Sequence, residues 1–143
     1  MYQAKDAMSA RVVSLSPGDT LETAARTLLE NQISGAPVLD ELGELVGIVS
    51  EFSLLEACHK SDGRSALVGD CMTRDVDVVH ADTPLSIVAS MFVDLRVRRM
   101  PVVRDGRLEG VIARRDVLRY ILEYGNPTDN YPRELERLMA DIV

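Results

Sequence analysis

Displaced by 64 positions, the chain aligns with itself, and this internal repeat limits its fold more than any other feature. Met8 falls on Met72, Val12 on Val76, Leu21 on Leu85, Ala25 on Ala89, Pro37 on Pro101 and Val38 on Val102. After a one-residue difference in a turn, Leu45 meets Leu108, Gly47 meets Gly110 and Leu55 meets Leu118. The period is longer than that of solenoid repeats and occurs only twice, so the chain reads as a duplicated domain. A unit of about 60 residues is marginal alone. Two such units that pack together remove that difficulty.

Each repeat predicts the same elements. In the first, Leu21, Ala24, Ala25, Leu28 and Leu29 follow the spacing of an amphipathic helix, with Asp19 and Glu22 placed to form a capping box. In the second, Leu85, Val88, Ala89, Phe92 and Val93 repeat the stripe, with Thr83 as cap and Pro84 at the first helical position. A hairpin follows each helix. APVL and ELVGIVS flank the turn Glu41-Leu42-Gly43, while MPVV and RLEGVIA flank Asp105-Gly106, a strong two-residue hairpin signal. Second helices are expected at about 52 to 59 and 115 to 124, the latter ended by Gly125 and Pro127. With an early strand in each repeat, the unit is strand–helix–strand–strand–helix, a three-stranded sheet with helices on one face. HKSDGRS at 59 to 65 is the expected linker. In the tail, Leu135, Leu138, Met139 and Ile142 form one apolar helical face, expected to pack on the chain's own body or on a dimer mate.

Composition excludes several function classes. No stretch approaches the ~18 apolar residues a membrane span needs, and the N-terminus lacks the order of a signal peptide, so a cytoplasmic protein without membrane contact is expected. The net charge of −7 argues against nucleic-acid binding. That average hides an asymmetry, because eight of the sixteen basic residues are arginines between positions 96 and 119. Such a cluster is either a solvated face paired with acidic residues or a phosphate-handling surface. Cys58 and Cys71 lack metal-ligand spacing, and Cys58, at helical spacing behind Leu54, is expected to be buried. No nucleophile with an adjacent base, no Walker-type loop and no metal-ligand cluster is present, so no enzyme activity, metal or cofactor is expected.

Taken together these motifs resemble the tandem cystathionine-β-synthase (CBS) domain pair. The matching segments are KDAMS and GDCMT before the first strand, the helix stripe, SGAPV and RRMPVV, the hairpin glycine, and the closing GIVSEFS and GVIARRD. They run in order, twice, from residue 4 to about 124. The resemblance implies an α+β (mixed α/β) fold of two βαββα CBS repeats, 1–62 and 63–125, packed sheet to sheet with pseudo-twofold symmetry; the apolar spacing of the tail adds an amphipathic helix at 126–143. It also implies a regulatory sensor without enzyme activity. Such a module binds an adenosyl ligand (AMP, ADP, ATP or S-adenosylmethionine) in a cleft between repeats, forms a homodimer and relays binding to an unidentified effector protein. No effector domain accompanies the repeats, so a stand-alone module is expected. The competing reading is a non-sensing dimeric scaffold, or protein-interaction module, with degenerate nucleotide sites.

The family pattern that closes each repeat pairs a hydroxyl, for phosphate, with an Asp three residues later, for the ribose diol. The first repeat keeps Ser50 but has Ser53 in place of the Asp, while the second keeps Asp116 but has Ala113 in place of the hydroxyl. A lost neutral hydrogen bond costs about 1 kcal/mol, whereas one to a charged group is worth ~1.5–3 kcal/mol. At most one good site per chain is therefore expected. Its residues by this resemblance are Asp116 for ribose and Val78, Val79, Met100 and Pro101 around the base; by charge, Arg115 or Arg114 beside Ala113 would replace the lost hydroxyl at phosphate, with Arg98 and Arg99 also within reach of it. Ser50, Ser53, Ala36 and Pro37 form a weaker second half-site. Two readings of Asp116 stay open, ligand contact and support of the first helical turn.

Overall fold

The computed structural model describes residues 2–60 and 65–125. The expected tail helix and the centre of the linker lie outside the described residues. In chain order the elements are α1 (Ala4–Ala7), α2 (Leu21–Glu30), β1 (Gly35–Leu39), β2 (Leu45–Ser50), α3 (Glu51–Lys60), α4 (Val68–Cys71), β3 (Val79–His80), α5 (Leu85–Leu95), β4 (Arg99–Arg104), β5 (Arg107–Ala113) and α6 (Arg114–Tyr124). Helices and strands mix in the α/β manner expected, the second repeat as β3-α5-β4-β5-α6 and the first as α2-β1-β2-α3.

The second repeat forms the predicted three-stranded sheet, in the order β3-β4-β5. β3 lies parallel to β4, with Val79 opposite Val102 and His80 opposite Val103. Asp105 and Gly106, at φ 52 and 78, turn the β4–β5 hairpin. Two successive left-handed residues match the right-handed twist of the flanking strands, which is why Asp-Gly predicts this turn. In the first repeat β1 and β2 pair antiparallel, with a register shift between Val38 and Leu39 that absorbs the longer turn. One carboxylate oxygen of Asp40 closes that turn, accepting from the backbone N–H of Leu42 and of Glu44, each at 2.9 Å. The early strand of this repeat is smaller than expected. It is a single parallel bridge, Leu15 to Val38, held by Leu15 N–H on the Pro37 carbonyl (2.9 Å) and Leu39 N–H on the Leu15 carbonyl (2.8 Å).

Two compact units divide the chain, and their limits do not coincide with the repeat of the sequence. One gathers Met1–Val12 with Asp77–Asp105 and with the strand and helix from Glu109 on; the other gathers Val13–Val76 with Gly106–Leu108. Each unit thus takes its opening turn from the other repeat. In the first unit, α1 sends its free N–H groups to the loop before α5: Ala4 N–H to the Thr83 carbonyl (2.8 Å) and Lys5 N–H to the Ala81 carbonyl (3.0 Å). In the second, α4 does the same before α2: Val68 N–H to the Asp19 carbonyl (2.8 Å) and Gly69 N–H to the Pro17 carbonyl (2.9 Å). The first turn of any helix has N–H groups without intrahelical partners, and here loop carbonyls accept them. Ala4 accordingly joins the core of Val79, Leu85, Val88, Phe92, Met100, Val102, Ile112 and Val117, while Val68 joins that of Leu15, Leu21, Leu28, Val38, Val49 and Leu54. An ion-pair network fixes α1 further: Lys5 meets Asp82 at 3.0 Å, and Arg104 forks onto Asp82 (2.9 and 3.1 Å) and reaches Glu109 (2.9 Å).

Three sequence expectations need correction. Thr20, not Asp19, caps α2, its hydroxyl accepting from Thr23 N–H at 3.1 Å. Asp19 is already used in the preceding turn, where its carboxylate accepts from Ser16 N–H at 2.8 Å. Likewise Pro84 occupies the N-cap of α5, because the Thr83 hydroxyl closes the turn before it by accepting from His80 N–H. Cys58 is exposed rather than buried. α3 turns Leu54 and Ala57 inward, so its neighbours Phe52, Leu55 and Cys58 face outward. Leu29 and Val93, at the margins of the two stripes, are exposed for the same reason.

Candidate functional site

The most informative junction is where β5 runs into α6. Ala113 is extended (φ −114, ψ 162) and serves as the N-cap, so Asp116 stands at the third helical position. There its carboxylate reaches back and accepts from the Ala113 N–H at 2.7 Å. A methyl group cannot accept the reciprocal bond, which leaves half of a capping box. The other oxygen of Asp116 meets Arg119 at 3.2 Å, one turn further along the exposed face. Only 13% of the Asp116 side chain is exposed. Helix support is thus physically present at Asp116, and two bonds leave acceptor capacity on a carboxylate that offers about four lone-pair positions.

The arginines divide by role. Arg114 is tied down: its Nε donates to the Val97 carbonyl (2.7 Å) and its backbone N–H to the Arg98 carbonyl (3.2 Å). These bonds hold the segment entering β4 against the start of α6, which brings Arg98 and Arg99 beside that helix end. Arg98 and Arg115 are exposed, and neither has an ion pair among the described residues; Arg99 is half-buried. Val79, Met100 and Pro101 are buried, with Val79 and Met100 inside the core, and Val78 is the exposed member of the four.

The corresponding junction of the first repeat is closed on itself. Ser53 N–H donates to the Ser50 hydroxyl and Ser50 N–H to the Ser53 hydroxyl, both at 3.1 Å, with 2.8 Å between the oxygens. This is a complete capping box, and both hydroxyls serve α3. Ala36 and Pro37 beside them are buried.

Sequence reasoning missed the residues from the chain's beginning that share a cleft with Asp116. A cleft of about 380 Å³ is lined by Asp6 and Ala7 of α1 and by Asp116, Arg119, Tyr120, Glu123 and Tyr124 of α6. The repeat does signal Asp6, since Asp6 and Asp70 cap their turns alike, accepting from Gln3 N–H (2.8 Å) and Leu67 N–H (2.9 Å). It does not signal that α1 lies against α6 of the other repeat.

Among the described residues no group of three or more His, Cys, Asp or Glu side chains is placed to hold a metal ion, and no helix is long and apolar enough to cross a membrane.

Comparison with known proteins agrees with the architecture. The CBS domain model matches twice, at residues 4–60 and 68–123. The chloroplastic CBS domain-containing protein CBSX1 of Arabidopsis thaliana is 33% identical over 140 residues, covering 76% of this chain and 58% of its own length. The chain spans about half the length of the curated relatives it matches. Among solved structures, CBSX2 in complex with AMP is 32% identical with a TM-score of 0.79, covering 86% of this chain and 98% of that one. The CBS domain pair of protein MJ0100, in complex with 5′-methylthioadenosine and S-adenosyl-L-methionine, is 27% identical with a TM-score of 0.73, covering 86% and 98%. With both repeats matched in order and the fold reproduced, the chain belongs to the CBS domain family.

Proposed function

We propose that the chain is a regulatory module that binds an adenosyl compound (AMP, ADP, ATP or S-adenosylmethionine) at the start of α6 and passes the bound state to a partner protein. The observation that carries this reading is the α6 entrance itself. A largely buried carboxylate, Asp116, has acceptor capacity to spare, and the exposed Arg98 and Arg115 stand near it without ion pairs among the described residues. A carboxylate suits a ribose diol, and guanidinium forks suit phosphate oxygens. Arg98 and Arg115 supply the charge that Ala113 cannot, while Arg114, held by Val97, positions the segment between them. The AMP in the CBSX2 structure and the adenosyl compounds in the MJ0100 structure support the ligand class. Ser50 and Ser53, bonded to each other, favour one site per chain over two.

Homodimerisation belongs to the same reading. On α3 Phe52 and Leu55, and on α6 Leu118 and Leu122, are each more than half exposed, and such a pair of apolar side chains on one helix suits an interface.

Thermal melting with AMP, ADP, ATP and S-adenosylmethionine tests the proposal. A ligand at ten times its dissociation constant stabilises the native state by ~1.4 kcal/mol, an upward shift of roughly 4 °C. The shift is expected in the wild type and is lost in Asp116→Asn. No shift with any of the four would refute the sensor reading, and one that survives Asp116→Asn would refute this site.

A further inference from the structure

We infer that the entrance to α6 selects its ligand by phosphate number, taking ATP before ADP and ADP before AMP, and turning away S-adenosylmethionine. The inference rests on the adenosyl-binding reading proposed above and narrows it to one ligand class, a nucleoside polyphosphate. What narrows it is the charge around the helix start. The left-handed residue Arg96 (φ 53) ends α5 and turns the chain. The two residues after it are then fixed to α6, where Arg114 Nε donates to the Val97 carbonyl (2.7 Å) and Arg114 N–H to the Arg98 carbonyl (3.2 Å). Arg96, Arg98, Arg114 and Arg115 are thereby gathered on two joined segments, and all of them are exposed. None has an ion pair among the described residues, and the one side-chain bond of Arg114 there uses Nε, which leaves its terminal nitrogens as donors. The same segments, 94–99 and 113–116, carry two carboxylates: Asp116, whose charge Arg119 offsets, and Asp94 on the last turn of α5.

This surplus of guanidinium groups is more than one phosphate can meet. Each phosphate added from AMP to ATP brings about one further negative charge at neutral pH, with further acceptor oxygens. A polyphosphate reaches several of the arginines at once, and their planar forks suit its oxygens. S-adenosylmethionine carries a sulfonium cation at the ribose 5′ carbon, where the nucleotides carry phosphate, so the same arginines repel it at short range. Ala113 sharpens the choice, because without a neutral hydroxyl at the first phosphate recognition there depends on charge. These side chains are exposed, so water screens each contact and none is worth much singly. Each added phosphate is therefore expected to lower the dissociation constant about three- to fivefold, with S-adenosylmethionine about tenfold weaker than AMP.

Isothermal titration calorimetry of the full chain with magnesium-free ATP, ADP, AMP and S-adenosylmethionine measures this order. ATP is expected to bind tightest, and added salt to weaken ATP more than AMP, since exposed charges are screened over about 10 Å at 0.1 M ionic strength. The double variant Arg98→Ala/Arg115→Ala alters two exposed side chains, so its melting temperature is expected to stay near wild type. Its preference for ATP over AMP is expected to fall to within about twofold. Equal affinity for AMP and ATP, S-adenosylmethionine bound as tightly as ATP, or a preference unchanged in the double variant would overturn this inference and leave the adenosyl-binding reading standing. No binding of any of the four compounds would refute both.

Discussion

Replacing Gly110 by alanine tests the least visible property of this fold, the packing of the chain's first residues against β5. A Cβ at Gly110 would stand 2.6 Å from the Met8 sulfur, 3.0 Å from its Cγ and 2.6 Å from the Ser9 carbonyl oxygen. The methionine can swing aside. The Ser9 carbonyl cannot, because Val111 N–H donates to it at 3.0 Å while Ser9 N–H donates to the Val111 carbonyl at 2.9 Å. The two segments must separate, which weakens both bonds. Overpacking costs about 1–3 kcal/mol, and one hydrogen bond lost in effect adds about 1 kcal/mol, so destabilisation of roughly 2–4 kcal/mol is expected. For a chain of this size that is a fall in Tm of roughly 6–15 °C, measured by calorimetry or circular dichroism. The double variant Met8→Ala/Gly110→Ala removes the side-chain clash but keeps the backbone one, so it is expected to recover only part of the loss. A fall of less than about 2 °C would refute the close approach of Ser9 to β5 on which the estimate rests. Gly47→Ala is the matching test in the other unit, where a Cβ would lie 2.9 Å from the Thr73 carbonyl and 2.8 Å from the Met72 sulfur.

Two further outcomes follow from the helix entrance and from the ion-pair network. Ala113→Ser supplies the missing half of the α6 capping box at a backbone that is already extended, and is expected to stabilise the fold by about 0.5–1 kcal/mol in a thermal melt. If the α6 entrance binds nucleotide as proposed, the same hydroxyl raises affinity about fivefold by titration, and unchanged affinity with raised stability would separate the two roles. The Arg104 fork, and then Lys5, hold the Asp82 carboxyl well below the usual carboxylate range. The charged form is favoured by folding, so its contribution is complete above the unfolded value near 3.8 and is lost as pH falls below it. Asp82→Asn is therefore expected to melt below wild type at pH 7, with a gap that narrows from about pH 4 downward; a gap constant to pH 2.5 would show that the Asp82 charge is not its source.

Much of the architecture was legible because it depends on local chemistry. Asp105-Gly106 specifies its turn through two left-handed residues whatever surrounds it. The stripes Leu21–Leu28 and Leu85–Phe92 are set by helical periodicity, and only their margins, Leu29 and Val93, were decided by how wide a face each core covers. The caps were misplaced by one residue, since Asp19 and Thr83 have two turns within reach and only the folded chain shows which they close.

By itself the sequence determined the duplication, the order of elements within each repeat, and the asymmetry between Ser50–Ser53 and Ala113–Asp116. The tertiary structure alone decided which repeat receives each opening turn, because Ala4, Lys5, Ser9, Val68 and Thr73 are held by backbone hydrogen bonds that depend little on side-chain identity. It also decided that Asp116 both supports α6 and faces Asp6 across a cleft. Those two residues are 110 positions apart, and the backbone pairing that brings them together leaves no periodicity in the sequence.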